Sequence, residues 1–180
     1  MMMMWVLVLT TLLVSDMAGR SNSLEVEETH WELKKREISR GPCDENWFYF
    51  PHLYSCYRFF SDKKTWLEAE DFCDQDTHYG ELASVISSEH SGFISDVVSA
   101  VDIGKPEAWI GLNDRCKEGT FTWIDGSTYS YRNWAPNEPN SYQKINEDCV
   151  NIHHFCDHAW NDAPCEMKIG FVCSYKLRSG

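Results

Sequence analysis

Oxygen-donor side chains recur between residues 138 and 162. Glu138 and Asn140 flank Pro139, and in an extended segment residues i and i+2 face the same side, so both side chains can present an oxygen to one point. Pro139 stiffens the chain between them. Further carboxylate and amide donors follow along the chain at Glu147, Asn161 and Asp162.

Hard oxygen donors of this kind suit Ca²⁺, which takes about 6 to 8 oxygen ligands, whereas Zn²⁺ prefers nitrogen and sulfur. The five side chains supply five ligands and three negative charges, and one backbone carbonyl would make six. The sequence therefore predicts a calcium site with positions left open. A zinc site at His153, His154, Asp157 and His158 is disfavoured, because this spacing helps only on a helix and the segment follows a predicted strand.

The charge balance agrees with a cation site. The chain carries 16 Lys and Arg against 28 Asp and Glu, a net charge of −12, and residues 43–173 hold 9 and 22 of these, respectively. Such an acidic chain lacks the basic footprint of a nucleic-acid-binding protein. No metalloprotease, nucleophile-elbow or phosphate-loop motif occurs, and carboxylates bound to calcium could not also act as free acid and base, so we do not expect an enzyme.

The first 14 residues form an apolar run of signal-peptide length that is too short to span a bilayer. We expect a signal peptide over residues 1–19, cut between 17 and 23, followed by a polar linker or propeptide over 20–42. An uncleaved anchor is disfavoured because Asp16 and Arg20 interrupt the run. The protein is therefore predicted to be secreted, with no membrane span, and its even set of eight cysteines predicts disulfides.

Helices come first and strands later in the remaining chain. A hairpin is expected over 47–60. A capping box at Thr65 and Glu68 starts one helix, and Ser87 starts a second whose Phe93, Ile94, Val97, Val98 and Val101 should pack inside. Short strands follow at 109–112, 121–124, 149–152 and 171–173. A long loop over 132–146 has little hydrophobic periodicity, and such loops are usually functional.

Taken in order, these elements resemble the C-type lectin domain family, and the resemblance runs from Cys43 to Cys173. It rests on the Cys73 helix and on the motifs Trp109-Ile110-Gly111-Leu112, Glu138-Pro139-Asn140, Glu147-Asp148-Cys149, Trp160-Asn161-Asp162 and Phe171-Val172-Cys173. The chain is most similar to small secreted lectins of fish and reptiles. The resemblance implies an α+β C-type lectin-like fold over 43–175, with two helices, small antiparallel sheets and a long calcium-binding loop.

The resemblance also implies disulfides Cys73–Cys173, Cys149–Cys165 and Cys43–Cys56, which leaves Cys116 and Cys156 to pair by elimination. These bridges would staple the domain. Trp109, Trp123, Trp134 and Trp160 are expected in the core rather than on a sugar-stacking surface.

In this family a bound sugar places two of its hydroxyls on the open coordination positions of the calcium. It also forms hydrogen bonds with the side chains that hold the calcium, which here would be Glu138, Asn140, Glu147 and Asn161. The resemblance implies a cis Glu-Pro peptide, and the family associates the Glu-Pro-Asn order with mannose-type sugars: mannose, fucose or N-acetylglucosamine. A second calcium site would use Asp114, Glu118 and Glu147, and it would be weak or empty because Ser141 replaces a family aspartate.

The resemblance therefore implies recognition of carbohydrate on glycoproteins or microbial surfaces. One shallow site binds weakly, so a homo-oligomer would gain avidity. The alternative is a protein-binding module, as in similar venom proteins, or an ice-binding module on the same fold, since fold does not fix function.

Overall fold

The computed structural model describes residues 41–77, 79–140, 146–152 and 158–177. The predicted signal peptide and nearly all of the predicted linker lie outside these residues. Residues 39–180 form one compact unit. The described part contains a short 3₁₀ helix at Pro51–Leu53, helices α1 (Trp66–Asp76) and α2 (Ser88–Ser99), and strands β1 (Phe48–Phe50), β2 (Ser55–Lys64), β3 (Glu81–Leu82), β4 (Ala108–Asn113), β5 (Thr122–Trp123), β6 (Cys149–Ile152), β7 (Trp160–Ala163) and β8 (Ile169–Lys176).

The strands are joined in one hydrogen-bonded network. Its main path runs β1-β2-β8-β4-β6-β7, with β3 paired to β8 and β5 paired to β4. All pairs are antiparallel except β4 with β8, where Ala108 lies opposite Gly170 and Trp109 opposite Phe171. The predicted α+β lectin-like class is confirmed. The structure adds the parallel pair, which short strand patterns do not reveal.

Helix α1 begins as its sequence predicts. Thr65 Oγ1 accepts a hydrogen bond from Glu68 N at 3.2 Å, and Glu68 Oε2 accepts one from Thr65 N at 2.9 Å, which completes the capping box. Trp66, Ala69 and Cys73 are fully buried on its inner face. The local signal was sufficient here because both partners lie within one helical turn.

Helix α2 is capped by Ser87, whose Oγ accepts from His90 N at 3.1 Å. Ile94, Val97 and Val98 are buried, and Phe93 is partly buried, as the periodicity predicts. The prediction for Val101 is wrong: its side chain is 54% exposed. The helix ends at Ser99, so the helical period no longer applies two residues later.

Three of the four predicted disulfides are confirmed: Cys43–Cys56, Cys73–Cys173 and Cys149–Cys165. The Cys73–Cys173 bridge links residues 100 positions apart, and in the chain-entropy model such a loop contributes up to about 4.7 kcal/mol. Cys116 is exposed. Its predicted partner, Cys156, lies outside the described residues, so that pairing stays a prediction.

Two tryptophans at the centre of the core, Trp66 and Trp109, each donate a hydrogen bond to a main-chain carbonyl. Trp66 Nε1 donates to the carbonyl of Ile110 at 2.8 Å, and Trp109 Nε1 donates to that of Lys64 at 3.0 Å. Gly111 is needed beside them, because a Cβ there would lie 2.6 Å from the Leu82 carbonyl oxygen. These contacts hold the start of α1 and β3 against the middle of β4.

Within the described part of the chain, no helix combines the length and apolar character needed to cross a membrane.

His90 is a buried ionisable group in the aromatic part of the core. Its ring stacks on Phe50 with 4.6 Å between centroids and meets the Tyr57 ring edge-on at 5.0 Å. Its Nδ1 accepts from Ile86 N at 3.4 Å. Burial lowers the pKa of His90 from 6.5 to about 4, so the imidazole is neutral in the folded protein at neutral pH.

We expect this histidine to contribute less to stability in acid. The unfolded chain binds a proton at His90 near pH 6.5 while the folded one does not until about pH 4, so the stability that neutral His90 contributes is full above pH 6.5 and falls as the pH drops through that window. The loss is at most about 3 kcal/mol. Because Glu70 and Asp162, whose pKa values are raised to about 7, act in the opposite direction over this range, the test is a difference between two proteins. The free energy of unfolding of the wild type minus that of His90→Phe, measured by urea denaturation, should fall by up to about 3 kcal/mol as the pH drops from 6.5 to 4. Equal pH slopes for the wild type and His90→Phe would contradict the assignment.

Candidate functional site

The long connection between β5 and β6 is fixed to strand β7 through main-chain hydrogen bonds. Ala135 N donates to the carbonyl of Trp160 at 2.8 Å, and Trp160 N donates to that of Asn133 at 2.8 Å. The Trp160 side chain is fully buried, and its ring meets that of Trp134 edge-on at 5.8 Å. We call these contacts the Trp160 clamp. They hold an otherwise irregular segment in one place.

Tryptophan burial largely follows the prediction. Trp109, Trp123 and Trp160 are buried and are therefore core residues. Trp134 differs, because it is only partly buried, with its Nε1 donating to the Tyr129 hydroxyl at 2.8 Å. Trp134 therefore lies between the Trp160 clamp and the protein surface.

The predicted Glu-Pro-Asn motif follows the clamp directly. Glu138 N donates to the carbonyl of Ala135 at 3.0 Å, and the Glu138–Pro139 peptide is cis, as the resemblance implied. Asn140 N donates to Asp162 Oδ1 at 3.0 Å, which ties the motif to β7. Asn140 Nδ2 also donates to Glu138 Oε2. The structure thus brings three of the five predicted ligands together: Glu138, Asn140 and Asp162.

These side chains bring two carboxylates together where exposure to solvent is low. Asp162 is only 5% exposed, and burial together with the neighbouring carboxyl of Glu138 raises its pKa to about 7. Two carboxylates this close repel one another unless a proton or a cation lies between them. Carboxylate and amide oxygens on one point are the donors that Ca²⁺ prefers, so the residues fit the ion that the family generally binds.

The other two predicted ligands lie on or beside the same strands. Asn161 is half-buried on β7, opposite Asn151 of β6. Glu147 is half-buried just before β6, which the Cys149–Cys165 disulfide fastens to the end of β7. Among the residues that the structure describes, no three His, Cys, Asp or Glu side chains are grouped closely enough to hold a metal ion. The set therefore relies on its amides as well as its carboxylates.

Of the histidine cluster considered for zinc, only His158 is described, and His153, His154 and Asp157 lie outside the described residues.

A second acidic group surrounds Asp114, at the end of β4. Asp114 is 3% exposed; its Oδ2 accepts from Gly119 N at 2.7 Å, while its Oδ1 is buried and has no hydrogen-bond partner among the described residues. Burial raises its pKa, and the nearby carboxylates of Glu118 and Asp148 raise it further. A buried, unsatisfied carboxylate oxygen between other carboxylates is the environment a cation would relieve.

Asp148 was not predicted as a ligand, although its motif was recognised. Its backbone carbonyl accepts from Asp114 N at 3.0 Å, and its carboxylate accepts from Asn146 Nδ2 at 2.6 Å. The sequence could have indicated a role for Asp148. Side chains of adjacent residues in an extended chain point to opposite sides, so Glu147 and Asp148 can face two neighbouring sites.

Comparison with known proteins places the chain in a family. The Lectin C-type domain model matches residues 62–175, more than half of the chain. The chain therefore belongs to the C-type lectin domain family. These are binding domains, and the lectins among their relatives support carbohydrate binding in general.

Similar proteins have different overall organisations. The chain is 39% identical over 124 residues to an alpha-N-acetylgalactosamine-specific lectin of the starfish Patiria pectinifera, covering 66% of this chain and 73% of that lectin. It is 40% identical over 119 residues to human versican core protein, covering 66% of this chain but only 3% of versican. The likeness to versican is thus confined to a small part of that protein.

Two solved structures illustrate the range of the fold. The C-type lectin CEL-I from Cucumaria echinata superposes with a TM-score of 0.70 at 28% identity, covering 77% of this chain and all of CEL-I. Herring type II antifreeze protein superposes with a TM-score of 0.67 at 26% identity, covering 76% of this chain and all of the antifreeze protein.

The crowding of Glu138 and Asp162 has a measurable consequence without metal. We expect Asp162→Asn to raise the melting temperature in EDTA at neutral pH, because the amide removes the repulsion while its Oδ1 still accepts from Asn140 N. Thermal unfolding followed by circular dichroism measures this. Asp62→Asn, at an exposed position of β2, is the control and should leave the melting temperature unchanged. A lower melting temperature for Asp162→Asn would contradict the repulsion.

Proposed function

We propose that this protein is a secreted, non-enzymatic lectin that binds mannose-type glycans through calcium. The observation that carries the proposal is the meeting of Glu138, Asn140 and Asp162 beside the Trp160 clamp. Glu147 and Asn161 complete the ligand set. Their carboxylates accept hydrogen bonds from sugar hydroxyls and their amides donate, and such charge-assisted bonds are the stronger kind.

The order of the motif residues supports the choice of sugar. A carboxylate at 138 and an amide at 140 present an acceptor and a donor in the order that the family associates with mannose, fucose and N-acetylglucosamine. The starfish relative, which is specific for N-acetylgalactosamine, supports a competing preference on a similar domain. The bound calcium supplies a positive charge that holds two vicinal hydroxyls, while the protein residues select their geometry.

Secretion is part of the proposal. Three disulfides are typical of proteins from oxidising compartments. Glycans on glycoproteins or microbial surfaces are the ligands accessible there. Because one shallow site binds a monosaccharide weakly, we propose that several copies act together, as a homo-oligomer, on a multivalent surface.

The decisive experiment measures binding of the oxidised protein to mannose, fucose, galactose and N-acetylgalactosamine surfaces, first in calcium and then in EDTA. We expect binding to mannose and fucose that EDTA abolishes. Glu138→Gln combined with Asn140→Asp should shift the preference toward the galactose-type sugars, because it exchanges the acceptor and the donor. Asp62→Asn is the matched control and should bind as the wild type does. Binding that ignores EDTA, or no binding to any of these surfaces, would contradict the proposal.

The Asp114 group gives a separate prediction. We propose a second, weaker calcium site at Asp114, with Glu118, Glu147 and Asp148 as further ligands. The ion would have to draw these side chains together, because no three carboxylates of the described structure are grouped closely enough to hold a metal as they stand. Asp114→Asn should remove the weaker of two calcium-binding steps in calorimetric titration and leave mannose binding at saturating calcium unchanged. A single binding step in the wild type would overturn the second site and leave the first intact.

A different function is favoured by one observation, the likeness to herring type II antifreeze protein. The same preparation can be tested for ice binding by thermal hysteresis. Thermal hysteresis without sugar binding would replace the lectin proposal with an ice-binding function. If both assays were negative, a calcium-independent protein-binding role would be the remaining alternative.

A further inference from the structure

A polar pocket of about 460 Å³ lies apart from the proposed calcium ligands. Its walls come from the start of β2, from β3, from the end of β8 and from residues 125–130 after β5. None of the proposed ligands of either calcium site lines it. Its volume falls in the range of about 300 to 1,000 Å³ that small-molecule sites occupy.

Asp125 is the fixed charge of this pocket. Its Oδ2 accepts from Ser84 Oγ at 2.7 Å and from Ser127 Oγ at 2.8 Å, and its Oδ1 accepts from Ser127 N at 2.8 Å. These bonds hold the carboxylate in one orientation. A carboxylate has about four acceptor positions, so it keeps capacity for a further donor.

The floor of the pocket is a neutral phenol. Tyr57 is buried, and its hydroxyl is hydrogen-bonded to Ser55, which in turn donates to the carbonyl of Leu53 at 3.0 Å. Burial raises the pKa of Tyr57 well above its usual value, so the hydroxyl stays protonated. The hydroxyl oxygen can therefore accept from a ligand while its proton remains with the protein.

Residues of opposite charge line the pocket. Glu81 and Lys176 both line the pocket, and Lys176 partly offsets the effect of burial on the pKa of Glu81. The Tyr79 ring also lines the pocket and is 83% exposed. The rest of the wall is mixed. Leu53, Ile86 and Tyr175 contribute apolar surface, and the hydroxyl groups belong to Ser55, Ser84, Ser127, Thr128, Ser130 and Ser174.

This combination selects the class of ligand. Two carboxylates repel an anion, and a wholly apolar ligand would displace water from the pocket's carboxylates and hydroxyls without replacing the hydrogen bonds that the water makes, which is costly. A neutral molecule with several hydroxyls satisfies both the acceptors and the donors, and its C–H surface can lie on an exposed aromatic ring. We propose that this pocket binds a sugar residue without calcium, as a second carbohydrate site beyond the function proposed above.

The test uses the full-length oxidised protein in EDTA, with mannobiose and N,N′-diacetylchitobiose as the probes, followed by ¹H–¹⁵N NMR titration. We expect at least one probe to shift the amides of Gly80, Ser84 and Ser127. The same shifts should appear in the Glu138→Gln plus Asn140→Asp variant. Ser130→Phe, at an exposed pocket position, should weaken this binding by about tenfold or more.

Two further variants complete the experiment. Ser61→Phe, at an exposed position of β2 outside the pocket, should bind as the wild type does. Glu81→Gln, a conservative change, should weaken binding even if Ser130→Phe folds poorly. No amide shift with either probe in EDTA, or equal affinities for the wild type and Glu81→Gln, would overturn the proposal.

The two proposals fail independently. Calcium-dependent binding to mannose surfaces should persist in Ser130→Phe, because that position is not a calcium ligand. If the lectin proposal fails while the pocket amides still shift in EDTA, the second site stands by itself.

Discussion

The main-chain bonds of the Trp160 clamp are the constraint on which the rest of the site depends. Loop residues usually have few backbone partners and little reason to hold one shape. Here, Asn133 and Ala135 pair with Trp160 as a short strand would. The Trp160 side chain is fully buried, so the clamp is continuous with the core. A carboxylate and an amide from the loop can then meet Asp162 with a geometry set by the core.

The electrostatics of the site follow from that constraint. Burying Asp162 beside Glu138 costs free energy in the metal-free protein, because both charges lose water and neither meets an opposite charge among the residues that the structure describes. Asp114 is in a similar position at the end of β4. The fold tolerates this cost because disulfides and an aromatic core hold the surrounding strands. The same buried carboxylates that destabilise the metal-free domain would stabilise a bound cation. A rigid acidic site gains its affinity for a cation in this way.

The sequence correctly predicted the features that are decided by interactions between residues close together in the chain. The capping box of α1, the Ser87 cap and strand β6 were recovered because each is decided by neighbours within a few residues. The predicted ligands Glu138, Asn140 and Asp162 were chosen by donor type, with the family resemblance in support, and the structure places them together. Their spacing alone does not bring residue 140 to residue 162, and their role as ligands stays a prediction. Strand β7 and the role of Asp148 were missed, because both depend on pairing across the chain. Val101 was misassigned because a helical period was extended beyond the end of its helix.

One connection supplies both proposed binding sites. Its first residues, 125–130, line the polar pocket, and its later residues, 138–140, reach the proposed calcium site. The Trp160 clamp lies between these two parts in sequence and attaches the connection to β7. Because both halves are fastened separately, by the Asp125 hydrogen bonds on one side and by the bond to Asp162 on the other, either half can change its side chains without displacing its counterpart. A fold that anchors an irregular segment at its middle can therefore carry two recognition surfaces, here on residues 125–140, which form none of the strands β1 to β8.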